Sequence, residues 1–540
     1  MVSLEQLGIL TVLLHGVASQ TQYGGNSVRV VPDPAIVESR AFPVPNATLY
    51  SPAFALNSSF PDGWTEGTSG ATSEFTLDTF LQSLADRNPS WMTYQTTDFE
   101  SEEGRTFPYV ILSSTSANSS LTSLGDGKLK VWLQGGVHGN EPAGDEALLA
   151  LLGKMDADPE WTASILETQD IVVLPRYNPD GISYFQRTLA TNYDPNRDHI
   201  KLAREQTRQI KAFFCDFAPH IAVDMHEYGA ASRYATNYSN AADGMFSAAK
   251  NLNIHPSIRN LSEQLFAVNV GNDLEAAGLR GEPYVTASSS SSPIRLAEAG
   301  SDAKIGRNAM GLTQTVTFLF ETRGIAIASQ EFKRRTYAGL TMVSSVLQTA
   351  ANNFDQVYAT LEGGIQDFIN SEEDIVVTDY TTLEERTWTM VNRNTGDVVQ
   401  LPVEFENNTP AVANLTRSRP KAYLIPPALA DLAERLTVAG LEVERLTDAY
   451  SGTVEAYNIT SASLSRSYYE GAVLSSVTAE PVEKSVSLPP GSFLVRTNQR
   501  NAGLAFNALE PENIDSYVSF NIVPMETGDE YPVYRILRVR

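Results

Sequence analysis

Cysteine is nearly absent: Cys215 is the single one in 540 residues, so an internal disulfide is excluded. A chain this long buries enough apolar surface to do without one, and it exceeds what a single core usually supports, so two domains are expected. Cys215 lies in the apolar run 212–217 and is read as a packing residue. Basic residues are also in deficit, with 39 Lys and Arg against 64 Asp and Glu and a net charge of -25. Phosphate backbones are bound by clustered cations, which excludes nucleic acid as a partner. Past the N-terminus no apolar run reaches the roughly 20 residues that cross a bilayer, so no membrane partner is expected. Histidine is scarce too, the six standing at 15, 138, 199, 220, 226 and 255. Imidazole-dependent metal chemistry is therefore confined to the first half of the chain.

Residues 7–17 form a short apolar segment followed by Ala18 and Ser19, the pattern of a secretory signal over 1–19. Glu5 stands where such signals carry Lys or Arg, which leaves an ordinary N-terminal helix as the alternative. Eight Asn-x-Ser/Thr sequons, at Asn46, Asn57, Asn118, Asn237, Asn260, Asn407, Asn414 and Asn458, are compatible with glycosylation of a secreted, extracellular protein. Residues 20–74 are rich in Pro, Ser, Gly and Asn without periodicity, as expected of an N-terminal extension or pro-segment.

From 75 to 358, β-type runs alternate with helical ones, which predicts an α/β domain: a mixed central sheet with helices on both faces. Short apolar strands are expected over 128–134, 170–175, 220–225 and 315–320, and helices over 143–155, 201–214 and 262–277. The Ser run 288–292 reads as an active-site loop or a surface loop. After a helical stretch, 329–370, short Val, Thr and Tyr runs such as 422–425 and 492–496 predict a smaller β-rich accessory domain over 359–540.

The most informative stretch is Gln134-Gly-Gly-Val-His138-Gly-Asn-Glu141, which follows a strand and leads into a helix, where an α/β sheet builds its sites. His138 and Glu141, three apart in a Gly-flanked loop, supply two of the three protein ligands that catalytic zinc requires. His226, ending the apolar strand of Ala222-Val-Asp-Met-His226, supplies the third. Two imidazoles and one carboxylate leave a coordination position for water, whose pKa zinc lowers toward neutrality. A carboxylate must then carry the proton, and Glu321, at the end of the apolar strand 315–320, is the candidate general base and acid. Glu321 has a bland alternative, a structural ion pair with Arg323. His220 and His255 read as packing or surface residues, and His199, close behind Arg197, as packing or as a wall of the site.

His138-Gly-Asn-Glu141, Asn178-Pro-Asp-Gly181, Asp194-Pro-Asn196-Arg197, His226 and Glu321-Thr-Arg-Gly together resemble the zinc carboxypeptidases of the carboxypeptidase A type, over roughly 75–358. The region beyond, including 419–426, looks like the extra C-terminal domain of secreted microbial members. The resemblance implies one Zn2+ ion and hydrolysis of C-terminal peptide bonds, with peptide or protein C-termini as substrate. It implies that Asn196 and Arg197 bind the terminal carboxylate, that Arg187 stabilises the oxyanion, and that Asp194 holds His138 by its other ring nitrogen. Two departures stand out. No Tyr lies in the twenty residues before Glu321, and the earlier Tyr284 is read as loop packing. The segment 301–311, which floors the specificity pocket in this family, carries Lys304 and Arg307, suited to an acidic terminal side chain. Two other functions compete: a zinc amidase or deacylase acting on N-acyl amino acids or cell-wall peptides, and a secreted binding protein without turnover.

Overall fold

The computed structural model describes residues 30–54, 71–114, 124 and 127–537. The apolar segment 7–17 and the sequons at Asn57 and Asn118 lie outside these.

An eight-stranded mixed sheet organises the first part of the chain. Its strands are β1 (Met92–Glu100), β2 (Thr106–Leu112), β3 (Leu129–Gln134), β4 (Gln169–Leu174), β5 (Ile221–Gly229), β7 (Gly244–Ala248), β8 (Gly281–Pro283) and β11 (Val316–Ile325), in the order β1-β2-β4-β3-β5-β11-β7-β8. The inner strands β4, β3, β5 and β11 run parallel. They are apolar and buried along almost their whole length, as strands covered on both faces must be. On one face lies the helix Pro142–Ala157, buried nearly all round, with the helix Phe332–Asn352 beside it against the same sheet. On the other, Phe213, Phe214 and Phe217 of the helix Glu205–Phe217 surround the Trp132 ring.

The chain leaves β3 to pair β4 on one side and later β5 on the other. At such a switch point the connecting loops diverge and open a crevice at the C-terminal ends of the strands. Period-2 alternation then sorts the side chains. On β5, Val223 and Met225 enter the core while Asp224 and His226 share the other face; on β11, Phe318 and Phe320 enter the core while Leu319 and Glu321 face the crevice.

A second sheet has the order β6-β12-β13-β10-β9, from β6 (Tyr238–Asn240), β9 (Val285–Ser289), β10 (Arg295–Glu298), β12 (Ile375–Asn392) and β13 (Val398–Arg417). The start of the expected Ser loop is therefore strand, because β9 pairs antiparallel with β10. Residue 358, where the sequence divides the chain, lies inside the helix Phe354–Asn370, and this sheet draws strands from both sides of it. A third sheet, β15-β18-β14-β19-β16-β17, joins β14 (Ala422–Ile425), β15 (Val443–Arg445), β16 (Tyr450–Tyr469), β17 (Ala472–Leu488), β18 (Phe493–Arg496) and β19 (Tyr534–Ile536). The described part of the N-terminal extension is packed against the body: Val37, Ala41 and Phe42 are buried, and Asp33 lies 2.5 Å from both Arg323 and Arg393.

Candidate active site and metal centre

The loop after β3 turns on Gly136, whose φ of 63° suits glycine. It is pressed against the Asn178-Pro-Asp-Gly181 turn so closely that a Cβ at Gly139 would come within 2.0 Å of the Gly181 carbonyl carbon. Asn178 locks the two together, accepting from the Gly181 N–H (2.9 Å) and donating to the Thr188 carbonyl (3.0 Å). His138 and Glu141 leave this loop toward β5. There His226 projects from the strand, in register with Glu321 on the neighbouring β11.

The three expected ligands meet. His138, Glu141 and His226 each offer a ligand atom within 4.8 Å of the others, and all three are buried. His138 Nδ1 lies 2.8 Å from Glu141 Oε1, His226 Nδ1 3.0 Å from Glu141 Oε2, and the two Nδ1 atoms are 3.1 Å apart. The opposite nitrogens face carboxylates: Asp194 Oδ1 is 3.1 Å from His138 Nε2, and Asp224 Oδ2 is 3.0 Å from His226 Nε2. Carboxylates behind ligating imidazoles orient the rings and raise their basicity.

The electrostatics call for a cation. Burial pushes the Glu141 carboxyl up, but His138 and His226 outweigh it and hold the group below its ordinary range. Asp194 and Asp224 behave alike, burial being overcome by His138 and Arg187 at the first and by His226 at the second. Burial opposes charge on His226, yet Asp224 and Glu141 lift it well above the ordinary imidazole value. A buried N2O donor set with three ionised carboxylates around it fits a divalent ion such as zinc.

The other candidates fall around a cavity of about 350 Å³ lined by His138, Glu141, Arg187, Asn196, Arg197 and Glu321, among others. Arg187 lies 3.0 Å from Asp194 and 3.2 Å from Glu141. The Asn196 amide nitrogen is 3.4 Å from His226 Nε2, and its oxygen accepts from the Gly306 N–H at 2.7 Å. Gly306 packs so tightly that a Cβ would lie 3.0 Å from both Asp224 and His199. Arg197 donates to the Asn196 carbonyl (2.7 Å) and has no ion pair among the described residues. Glu321 is 6 % exposed, and its Oε2 has no hydrogen-bond partner among the described residues. Burial pushes its carboxyl up to about 8, with His226 pulling down and Glu141 pushing up. The alternative pairing with Arg323 does not occur: that guanidinium is taken by Asp33 and by Glu331 at 2.9 Å.

His199 is buried behind the site and does not line the cavity; burial, and then Lys211, press it down to about 3. His220 hydrogen-bonds Glu362 (2.9 Å) and His255 hydrogen-bonds Ser257 (2.7 Å). Asp224 is a residue that the sequence reading missed. Its signal was available, since an acid two residues before His226 on an apolar strand shares the face of that histidine. Glu227 was missed too; its backbone N–H donates to Glu141 Oε2 (3.0 Å), and its carboxylate accepts from Ala143 N at the start of the helix Pro142–Ala157, where the helix dipole favours an anion. Tyr284, read as loop packing, lines the cavity, and burial followed by the Glu321 charge pushes its phenol well up, so it stays a donor. Lys304 is absent from the cavity wall, whereas Arg307 forms part of it.

Residues 77–244 match the zinc carboxypeptidase family. Carboxypeptidase 2 of Trichophyton tonsurans is 56% identical over 523 residues, covering 96% of each chain, and carboxypeptidase 2 of Trichophyton rubrum is 55% identical over 522 residues with the same coverage. The chain belongs to the zinc carboxypeptidase family. Among solved structures, the metallo-carboxypeptidase from Burkholderia cenocepacia shares 15% identity over 53% of this chain and 70% of that one, with a TM-score of 0.39. This metallocarboxypeptidase thus carries its family's peptidase assignment together with a His-Glu-His cluster able to hold a metal.

Proposed function

We propose that the enzyme hydrolyses C-terminal peptide bonds with one zinc ion held by His138, Glu141 and His226 and with Glu321 as general base and acid. The observation that carries this reading is the unpartnered Glu321 Oε2, buried at the cavity wall in register with His226. Zinc, when bound, acidifies a water molecule and polarises the scissile carbonyl. Glu321 accepts a proton from the attacking water as the new C–O bond forms, and returns it to the amine nitrogen as the C–N bond breaks. The pushed-up carboxyl suits both directions of transfer. Arg187 donates to the developing oxyanion. Arg197, with no carboxylate of its own, takes the terminal carboxylate of the substrate, and Asn196 holds the turn that presents it. Asp194 and Asp224 keep the two imidazoles oriented.

Curated relatives named carboxypeptidases, at 55–56% identity over 96% of the chain, favour peptide hydrolysis over the amidase and non-catalytic readings. The direct test is release of terminal amino acids from peptides. Chelation is expected to abolish it and zinc to restore it, and Glu321→Gln is expected to lower kcat by roughly 10²–10⁴-fold with metal content unchanged. Activity that survives both treatments rejects the mechanism.

Secretion through a signal at 1–19 belongs to the same reading. It is supported by the leader pattern and by the exposure of Asn46, Asn237, Asn260, Asn414 and Asn458. Among the described residues no helix is long and apolar enough to cross a membrane. N-terminal sequencing and a glycosidase mobility shift of the secreted material check it.

A further inference from the structure

Among the described residues three guanidiniums line the cavity, and they differ in what neutralises them. Arg187 is paired with Asp194 and Glu141. Arg197 is half-buried, close to the ligand cluster through Asn196. Arg307, on the short helix Gly306–Gly311, is only 1% exposed. Its Nη2 donates to the Gly300 carbonyl (2.5 Å); among the described residues its Nε has no hydrogen-bond partner and no carboxylate lies within 4.0 Å of it.

Such an arrangement needs a reason. A guanidinium stays charged in any protein setting, and a buried charge without a counter-ion is among the costlier things a fold can hold. The carboxylates of Asp302, Glu298 and Glu321 act on it only from beyond ion-pair distance. Glu298 shares the cavity wall, but its carboxylate is occupied by Lys250 (3.2 Å), the Asn408 N–H (2.7 Å) and the Thr409 hydroxyl (2.5 Å). Lys304, the other cation of this segment, is neutralised by Asp302 (2.6 Å) and Asp515 (2.9 Å) and stays off the wall. Arg307 is left as an unpaired cation at the side of a substrate cavity, so its counter-ion arrives with the substrate.

We propose that Arg307 sets the specificity of the cavity and that the enzyme selects substrates whose C-terminal residue bears a carboxylate side chain, Asp or Glu. The inference rests on the carboxypeptidase reading above. An acidic terminal residue brings two carboxylates, and the cavity offers two guanidiniums without ion pairs: Arg197 for the main-chain carboxylate and Arg307 for the side chain. The planar fork of arginine matches a carboxylate with two parallel hydrogen bonds. Discrimination follows from the same desolvation, since an apolar or amide side chain would leave Arg307 unpaired and a basic one would add a like charge.

The test uses zinc-loaded full-length enzyme and N-acylated dipeptides ending in Glu, Asp, Gln, Leu or Arg. The expected kcat/KM for Glu exceeds that for Gln and Leu by about tenfold or more. Arg307→Met is expected to abolish or reverse this order, and Arg307→Lys to keep part of it, which holds the test open should the Met variant fold poorly. Leu- or Arg-terminated dipeptides cleaved by the unaltered enzyme as fast as the Glu dipeptide overturn the inference and leave the carboxypeptidase reading standing. An equal fall for Glu and Leu substrates in Arg307→Met also overturns it, by moving Arg307 to the main-chain carboxylate. Metal-dependent release from none of the dipeptides takes down both.

Discussion

The backbone N–H of Asp194 donates to the carboxylate of Glu470 at 2.8 Å, across 276 positions of sequence. Glu470 sits at the tip of the β16–β17 hairpin with φ 44°, and its carbonyl accepts from the Lys201 ammonium. The Asp194 side chain in turn faces His138. A hairpin of the third sheet therefore braces the turn that orients one of the proposed metal ligands.

Glu470 should act as a positioning residue. Glu470→Ala is expected to weaken zinc binding and to lower kcat/KM, each by about tenfold, the range for groups that orient ligands. Glu470→Gln keeps an acceptor oxygen and should stay near the unaltered enzyme. Chelator competition reads the affinity and circular dichroism the fold; equal zinc affinity in the Ala variant rejects the role.

Asp224 offers a sharper test of the same idea. Its Oδ1 accepts from the Gln134 amide (2.9 Å) while Oδ2 faces His226. Asp224→Asn preserves shape and removes charge, so metal affinity should fall about 10–100-fold. Unchanged affinity would show that His226 needs no such partner.

Asp33 ties the N-terminal extension to the body through two buried guanidiniums, Arg323 and Arg393. Asp33→Ala leaves both without this partner, and a loss of roughly 3–5 kcal/mol is expected in urea unfolding. Cleavage beyond residue 33, as removal of a pro-segment would require, should destabilise the enzyme in the same way; a shortened form as stable as the full chain would contradict this.

Glu146 gives a pH signature of stability. Burial pushes it from 4.5 up to about 7, against hydrogen bonds from the Thr72 hydroxyl and the Ala53 N–H. The folded state thus holds this proton more tightly than the unfolded chain. Its contribution is fully present below about pH 4.5 and is lost as pH rises through about 7, on the order of 3 kcal/mol in all. Glu146→Gln removes that slope, so the difference in urea midpoint should shift in favour of the variant between pH 4.5 and 7. Parallel profiles for the two proteins would refute the assignment.

Much of this enzyme is legible in its amino-acid sequence, for a local reason. Strand burial writes itself as short apolar runs, and an ionisable residue at the end of such a run, such as His226 or Glu321, stands out against them. The Gly-flanked loop after β3 and the Asn178 turn are equally local, being matters of backbone shape. What the sequence could not decide was which charge meets which, because ion pairing depends on distances between segments far apart in the chain. Arg323 lies two residues from Glu321 and pairs with Asp33 instead; Lys304 and Arg307 are neighbours, yet one is neutralised by Asp515 and the other is left bare beside the cavity. Only tertiary packing, which brings residues 33, 470 and 515 back onto the catalytic sheet, settled those partners.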